Sequence, residues 1–187
     1  APTSKGTATL EHDRSKKRLI PAAGKSWLAA LGVTDADGNV LKSSGDKFRQ
    51  INRYVEILAP LLKAIPPKRM RRIVDMGAGK GYLTFAVADY VAKTLQRQTE
   101  VVGVEFREEL VKLCNGIAQA SKLDHLSFSA GSIENFDSTG ADILIALHAC
   151  DTATDDAIAK GIGAESELIV VAPCCHKQIR REMETAN

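Results

Sequence analysis

The sequence predicts an α/β fold built on a doubly wound parallel sheet, and three observations carry that reading. From residue 72 onward, short runs rich in Val, Ile and Leu alternate with stretches of helical periodicity. The short runs are apolar on both faces, as strands buried between two helical layers must be. The first run leads straight into a turn that carries Gly77, Gly79 and Gly81, and a helical pattern follows. In open sheets of this kind, ligands lie beyond the carboxyl ends of the strands. The residues singled out below all sit at such ends.

In chain order, residues 1–45 read as a polar, basic N-terminal extension punctuated by Gly and Pro. Within it, EHDRSKKRLI concentrates Arg14, Lys16, Lys17 and Arg18, which suit either a solvated arm or a contact for a phosphate backbone. TDADGNV, from Thr34, reads as a turn with Asp37-Gly38 at its tight point. Residues 46–187 form the main domain. Its first helix spans 46–65, where Phe48, Ile51, Val55, Leu58, Leu62 and Ile65 step by three and four. Pro60 is expected to kink or shorten that helix, and Pro66-Pro67 to end it. KRMRR, residues 68–72, is a basic loop. Then come strand RIVDM, helix GYLTFAVADYVAKTL, strand VVGVEF, helix REELVKLCNGIAQAS, strand HLSFSA, strand ADILIALHAC, helix DTATDDAIAKGI, strand ELIVVAPCC and helix HKQIRREME.

The bulk properties narrow the function classes. A hydrophobic fraction of 44% supports a buried core, and a net charge of +2 excludes a histone-like polycation. No run of apolar residues is long enough to span a membrane. Four cysteines do not form a secreted disulfide pattern, and the N-terminus shows no apolar signal core, so a cytoplasmic setting is expected. Nothing in the sequence points to DNA.

The glycine turn admits three ligands. A phosphate-binding P-loop needs a Ser or Thr after its Gly-Lys, but Lys80 is followed by Gly81 and Tyr82. A dinucleotide turn needs Gly-x-Gly-x-x-Gly, and here the spacing is Gly-x-Gly-x-Gly. S-adenosylmethionine has no phosphate. Asp75 favours it, because a carboxylate beside the turn repels a pyrophosphate and attracts an ammonium or a sulfonium. A tight structural turn, with Asp75 capping the next helix, also fits. Glu105 ends the second strand, thirty residues after Asp75, where an acid can accept both ribose hydroxyls or simply cap a helix. After the third strand, Ser132 and Ile133 are placed to meet adenine, with Ser132 equally a turn former. Cys114 reads as core, and Asp151 as a helix N-cap.

The run Asp75-Met76-Gly77-Ala78-Gly79-Lys80-Gly81, with Glu105 after strand two, resembles the class I S-adenosylmethionine-dependent methyltransferases over residues 70–184. Many members carry an acid where this chain has Ser132. LHACDTATDDAI and VAPCCHKQ resemble a narrower branch with Leu-His-x-Cys, Ala-Thr-Asp and Cys-Cys-His motifs, which includes tRNA ribose methyltransferases. The resemblance implies a Rossmann-like sheet of order 3-2-1-4-5 and S-adenosyl-L-methionine as cofactor. It implies a cofactor site of Asp75, Gly77, Ala78, Gly79, Gly81, Glu105, Phe106, Ser132 and Ile133. The family fold has seven strands and five are counted here, so a chain lacking the last two strands, or truncated at its C-terminus, is expected.

Methyl transfer is an in-line displacement that depends on positioning, with a base for some acceptors. His148, at the tip of the fourth strand, is the candidate base and equally a loop-shaping residue. His148, Pro173, Cys174, Cys175 and His176 form the expected acceptor rim. Cys150 joins the cluster, but the spacing does not suit a tetrahedral zinc site, so no metal is expected. RNA is a candidate acceptor. Two other readings stay open: a catalytically silent module that binds RNA or a protein, and a different nucleotide-binding enzyme.

Overall fold

The computed structural model describes residues 18–147 and 152–172. Five parallel strands form one sheet in the order β3-β2-β1-β4-β5. They are β1 (Arg72–Met76), β2 (Glu100–Glu105), β3 (Leu126–Ala130), β4 (Ile143–Ala146) and β5 (Leu168–Val171). The helices are α1 (Ser26–Ala30), α2 (Gly45–Ala64), α3 (Tyr82–Asp89), α4 (Glu108–Ala120) and α5 (Thr152–Gly163). The expected fold class and strand order are those observed. The reversal of winding lies between β1 and β4, so β1 has a neighbour on each side: Asp75 pairs with Gly103 of β2 and with Ile145 of β4.

The two faces of the sheet bury separate cores. One joins Ile73, Val101 and Ile143 to the apolar stripes of α2, α3 and α4. The other joins Val74, Val104 and Leu144 to Ala157 of α5. Neighbouring residues of β1 thus point into opposite layers, which is why the strands read as continuous apolar runs. Trp27 stacks on Phe85 at 5.7 Å, and Phe85 meets Phe128 at 5.4 Å.

One local expectation is corrected. Helix α2 is not shortened at Pro60 but runs on to Ala64. Pro60 lies on the solvent side, where its ring and the lost N–H disturb no buried contact. EHDRSKKRLI lies mostly outside the described residues, but the part of the polar extension that follows it packs into the core. Ile20, Trp27, Leu28 and Val33 are buried in the core. Asn52 holds this segment by accepting from the Ile20 N–H at 3.0 Å and donating to the Ile20 carbonyl at 3.1 Å. Lys25 donates to both oxygens of Asp89, at 2.8 and 2.6 Å. Sparse apolar residues at the right places outweigh a polar average. The turn at Asp37-Gly38 forms as expected, closed by a bridge between Thr34 and Val40.

Candidate functional site

Strand β1 delivers Asp75 to the edge of the sheet, and the chain then turns through Gly77, Gly79 and Gly81, all at positive φ. A methyl group at Gly81 would meet Phe128 at 2.8 Å, so this glycine lets β3 pack against the start of α3. At Gly77 a methyl group would meet nothing within 4 Å, and at Gly79 only the Arg107 guanidinium at 4.0 Å. Those two positions face open space: the turn is a cradle.

The backbone of the cradle is committed inward. The N–H groups of Gly77 and Ala78 both donate to the Val104 carbonyl at 2.9 Å. That of Gly79 donates to Glu105 Oε2 at 2.8 Å, and that of Gly81 to the Ala78 carbonyl at 2.9 Å. A phosphate site needs several free N–H groups pointing at the anion. These four are already used.

Two clefts meet at this turn and share Gly77 and Gly79. The first is lined by Asp75 and also by Lys47 and Gln50 of α2, Lys80 and Leu147. Asp75 does not cap α3. Its Oδ2 accepts from the Thr84 hydroxyl at 2.6 Å, one turn into that helix. Burial pushes the Asp75 carboxyl up to about 6, against the lowering effect of Thr84. Lys47 Nζ lies 5.0 Å from the centre of the Tyr82 ring and donates to Gln50 Oε1 at 2.9 Å. One cleft therefore holds a carboxylate and an ammonium.

The second cleft has a volume of about 550 Å³ and is lined by Glu105, Phe106, Ser132 and Ile133. The four residues that the sequence reading placed at ribose and adenine thus line one cleft. Glu105 is 3% exposed. Burial raises its pKa, but bonds from Arg107 and the Gly79 N–H outweigh this and hold it below the usual carboxylate range. Arg107 donates to it from Nε at 2.7 Å, from the backbone at 3.1 Å and from the second guanidinium arm at 3.3 Å. The same guanidinium lies 5.2 Å from the centre of the Phe106 ring, which is 72% exposed. Ser132 keeps its turn role, its hydroxyl accepting from the Asn135 N–H at 3.1 Å. Cys114 is core, and burial pushes its thiol up to about 11.

His148, Cys150, Asp151, Pro173, Cys174, Cys175 and His176 lie outside the described residues. The basic loop Lys68–Arg72 lies at the opposite edge of the sheet. Arg69 pairs there with Glu167, Arg71 with Asp142 and Arg72 with Glu100, acids at or next to the starts of β5, β4 and β2.

Sequence reasoning passed over Lys47, Gln50, Thr84 and Arg107. Lys47, Gln50 and Tyr54 step by three and four along α2, beside the apolar stripe, a weak signal because polar helix flanks usually face water. Arg107 lies two residues beyond Glu105 and reads as an ordinary exposed residue at a helix start.

The model of a family described as a methyltransferase domain matches residues 46–182. A Bacillus subtilis (strain 168) protein described as the uncharacterized methyltransferase YcgJ is 26% identical over 102 residues, which are 54% of this chain and 38% of that protein. The chain thus matches well under half the length of that curated relative. Among solved structures, one of a putative S-adenosyl-L-methionine-dependent methyltransferase from Methanococcus maripaludis aligns with TM-score 0.49 and 14% identity, over 78% of this chain and 72% of that one. An RNA methyltransferase from Salinibacter ruber, in complex with S-adenosyl-L-homocysteine, aligns with TM-score 0.40 and 19% identity, over 53% and 57% of the two chains. With a family match across its whole sheet and the glycine turn inside it, this chain belongs to the methyltransferase domain family.

Proposed function

We propose that the protein transfers a methyl group from S-adenosyl-L-methionine to an acceptor seated beside Leu147. The observation that carries this is the committed backbone of the glycine turn. Gly77, Ala78, Gly79 and Gly81 offer a phosphate no free N–H, which suits a nucleoside without one. The two clefts match its two ends. Asp75 and Lys47 offer a carboxylate and an ammonium to a zwitterionic amino acid, and Glu105, Phe106, Ser132 and Ile133 line the cleft for ribose and adenine. Gly77 and Gly79 leave the space between them open.

When bound, the cofactor supplies a methyl carbon activated by a sulfonium. Asp75 and Lys47 would hold its amino-acid end and Glu105 and Phe106 its nucleoside end, and the acceptor's lone pair would take the methyl. The protein holds the acceptor in line and excludes water. His148 directly follows Leu147, which lines the first cleft, and for a hydroxyl acceptor it takes the proton. Replacing His148 with Ala is then expected to keep cofactor affinity and to slow transfer by roughly 10²–10⁴-fold.

RNA as acceptor rests on Arg14–Arg18 alone, since Lys68–Arg72 faces away from the clefts in ion pairs. Its test is salt: RNA affinity should fall steeply with added salt, and neutralising Arg14, Lys16, Lys17 and Arg18 should flatten the slope. For the cofactor, calorimetry should show binding of S-adenosylhomocysteine and none of NAD. Binding of NAD alone overturns the reading.

A further inference from the structure

Along α2 the first cleft runs into an apolar groove of about 490 Å³. Ile57 and Leu58 of α2, Leu83 of α3, Leu147 and Val170 line it. The groove shares Gln50, Leu83 and Leu147 with the cleft that holds Asp75, so the two form one continuous depression. Ile57 stands 54% exposed at its edge. An isolated exposed apolar side chain is ordinary, but Ile57 borders a groove whose walls at Leu58, Leu83, Leu147 and Val170 are half-buried or buried and which opens onto the cleft of Asp75.

The polar groups of the groove are few, and each can donate. Arg53 stands on the rim, paired with Glu56 at 3.6 Å, and among the described residues no carboxylate lines the groove itself. Tyr54 is 9% exposed, and its buried hydroxyl has no hydrogen-bond partner among the described residues. Burial and the nearby charge of Asp75 push its pKa well up, so it stays a donor. Gln50 Oε1 accepts from Lys47, which leaves the amide N–H₂ as the group it can offer. The groove thus combines apolar walls with donors and a cation.

We propose that this groove seats the methyl acceptor, and that the acceptor presents an uncharged, largely apolar ring bearing a hydrogen-bond acceptor atom. The proposal rests on the cofactor reading above. A cationic acceptor such as an amine or guanidinium would face Arg53, while Asp75, in the adjoining cleft, is taken by the cofactor's ammonium in that reading. A neutral ring covers Ile57, Leu83 and Leu147 and meets the donors of Tyr54 and Gln50.

Two probes of one shape and different charge test this: quinoline and N-methylquinolinium. They are titrated into protein labelled at the Ile, Leu and Val methyl groups and followed by NMR, with and without S-adenosylhomocysteine. Quinoline should shift the methyls of Ile57, Leu83, Leu147 and Val170, and bind at least about tenfold more tightly than its cation. Ile57→Glu should leave S-adenosylhomocysteine affinity unchanged, weaken quinoline about tenfold and narrow or reverse the preference between probes. With S-adenosylmethionine bound, a nuclear Overhauser contact should join its methyl to the ring. Equal binding of the two probes, shifts confined to other residues, an inert Ile57→Glu or a missing Overhauser contact overturns the proposal. Groove shifts that persist while S-adenosylhomocysteine fails to bind would refute the cofactor reading and leave the groove's chemistry standing.

Discussion

Asp75 and Glu105 end neighbouring strands, and both are buried, at 6% and 3% exposure. Their charge states nevertheless move in opposite directions. Asp75 has the Thr84 hydroxyl against the cost of burial and is pushed up to about 6. Glu105 has a guanidinium and two backbone N–H groups and is held below its usual range. Burial alone therefore does not decide the ionisation of a buried acid: the number and charge of its donors do. The difference suits two tasks. A carboxylate that is short of donors gains most from a ligand ammonium. One that is already saturated can take ribose hydroxyls only by giving up bonds from Arg107.

The comparison breaks most visibly with Asp75→Asn. S-adenosylhomocysteine should lose roughly 100-fold in affinity near pH 8, about the upper value for hydrogen bonds to a charged group. 5′-Methylthioadenosine, which lacks the amino-acid end, should be unaffected. Calorimetry with both ligands checks this, and an equal loss for both would mean that Asp75 supports the fold rather than reading the ammonium. Lys47→Ala should show the same split at about tenfold.

Glu105→Gln should weaken both ligands alike, by about 1–3 kcal/mol, because it acts on the nucleoside end they share. A loss confined to S-adenosylhomocysteine would exchange the roles assigned to the two strand tips.

Titration sharpens the contrast further. The folded state holds the Asp75 proton more tightly than the unfolded chain, whose carboxyl titrates near ~3.9. Protonated Asp75 therefore favours folding, in full below about pH 4. That contribution is lost as the pH rises through about 6. At pH 8, Asp75→Asn should raise the unfolding free energy by about 1–3 kcal/mol, readable by urea denaturation. Affinity for S-adenosylhomocysteine should climb through the same pH window while that for 5′-methylthioadenosine stays flat. Glu105 acts with the opposite sign: its contribution is present above the unfolded value and is lost as the pH falls through its lowered one.

The smallest effect is expected for Thr84→Val. Removing its hydroxyl takes away the bond that lowers the Asp75 pKa. The pH midpoint should move up, and stability at pH 8 should fall by about 1 kcal/mol. An unmoved midpoint would assign the shift to burial alone.

The strands of the sheet, their order and the clustering of Asp75, the glycines, Glu105, Phe106, Ser132 and Ile133 were legible in the sequence. The strands and the cluster depend on short-range pattern, strand, tight turn and helix with a residue at each strand end, whereas the order followed from the family resemblance. Lys47 and Gln50 were not, because they reach the cleft from α2, well before the glycine turn in the chain. Nor was the packing of Ile20 and Trp27, since four or five apolar residues in a polar segment set no period.

By itself, then, the sequence determined the α/β alternation and the acid-glycine signature of the turn, because residue type and local φ, ψ govern both. The tertiary structure alone decided what those acids meet: Thr84 for one, Arg107 and the Gly79 N–H for the other. It alone showed that β2 takes the N–H groups of Gly77, Ala78 and Gly79, that Lys68–Arg72 lies on the far edge, and that an apolar groove continues the first cleft. The physical reason is range. Backbone preference acts between neighbours in the chain, whereas donors, counter-charges and groove walls come from elements that only folding brings within a few ångströms.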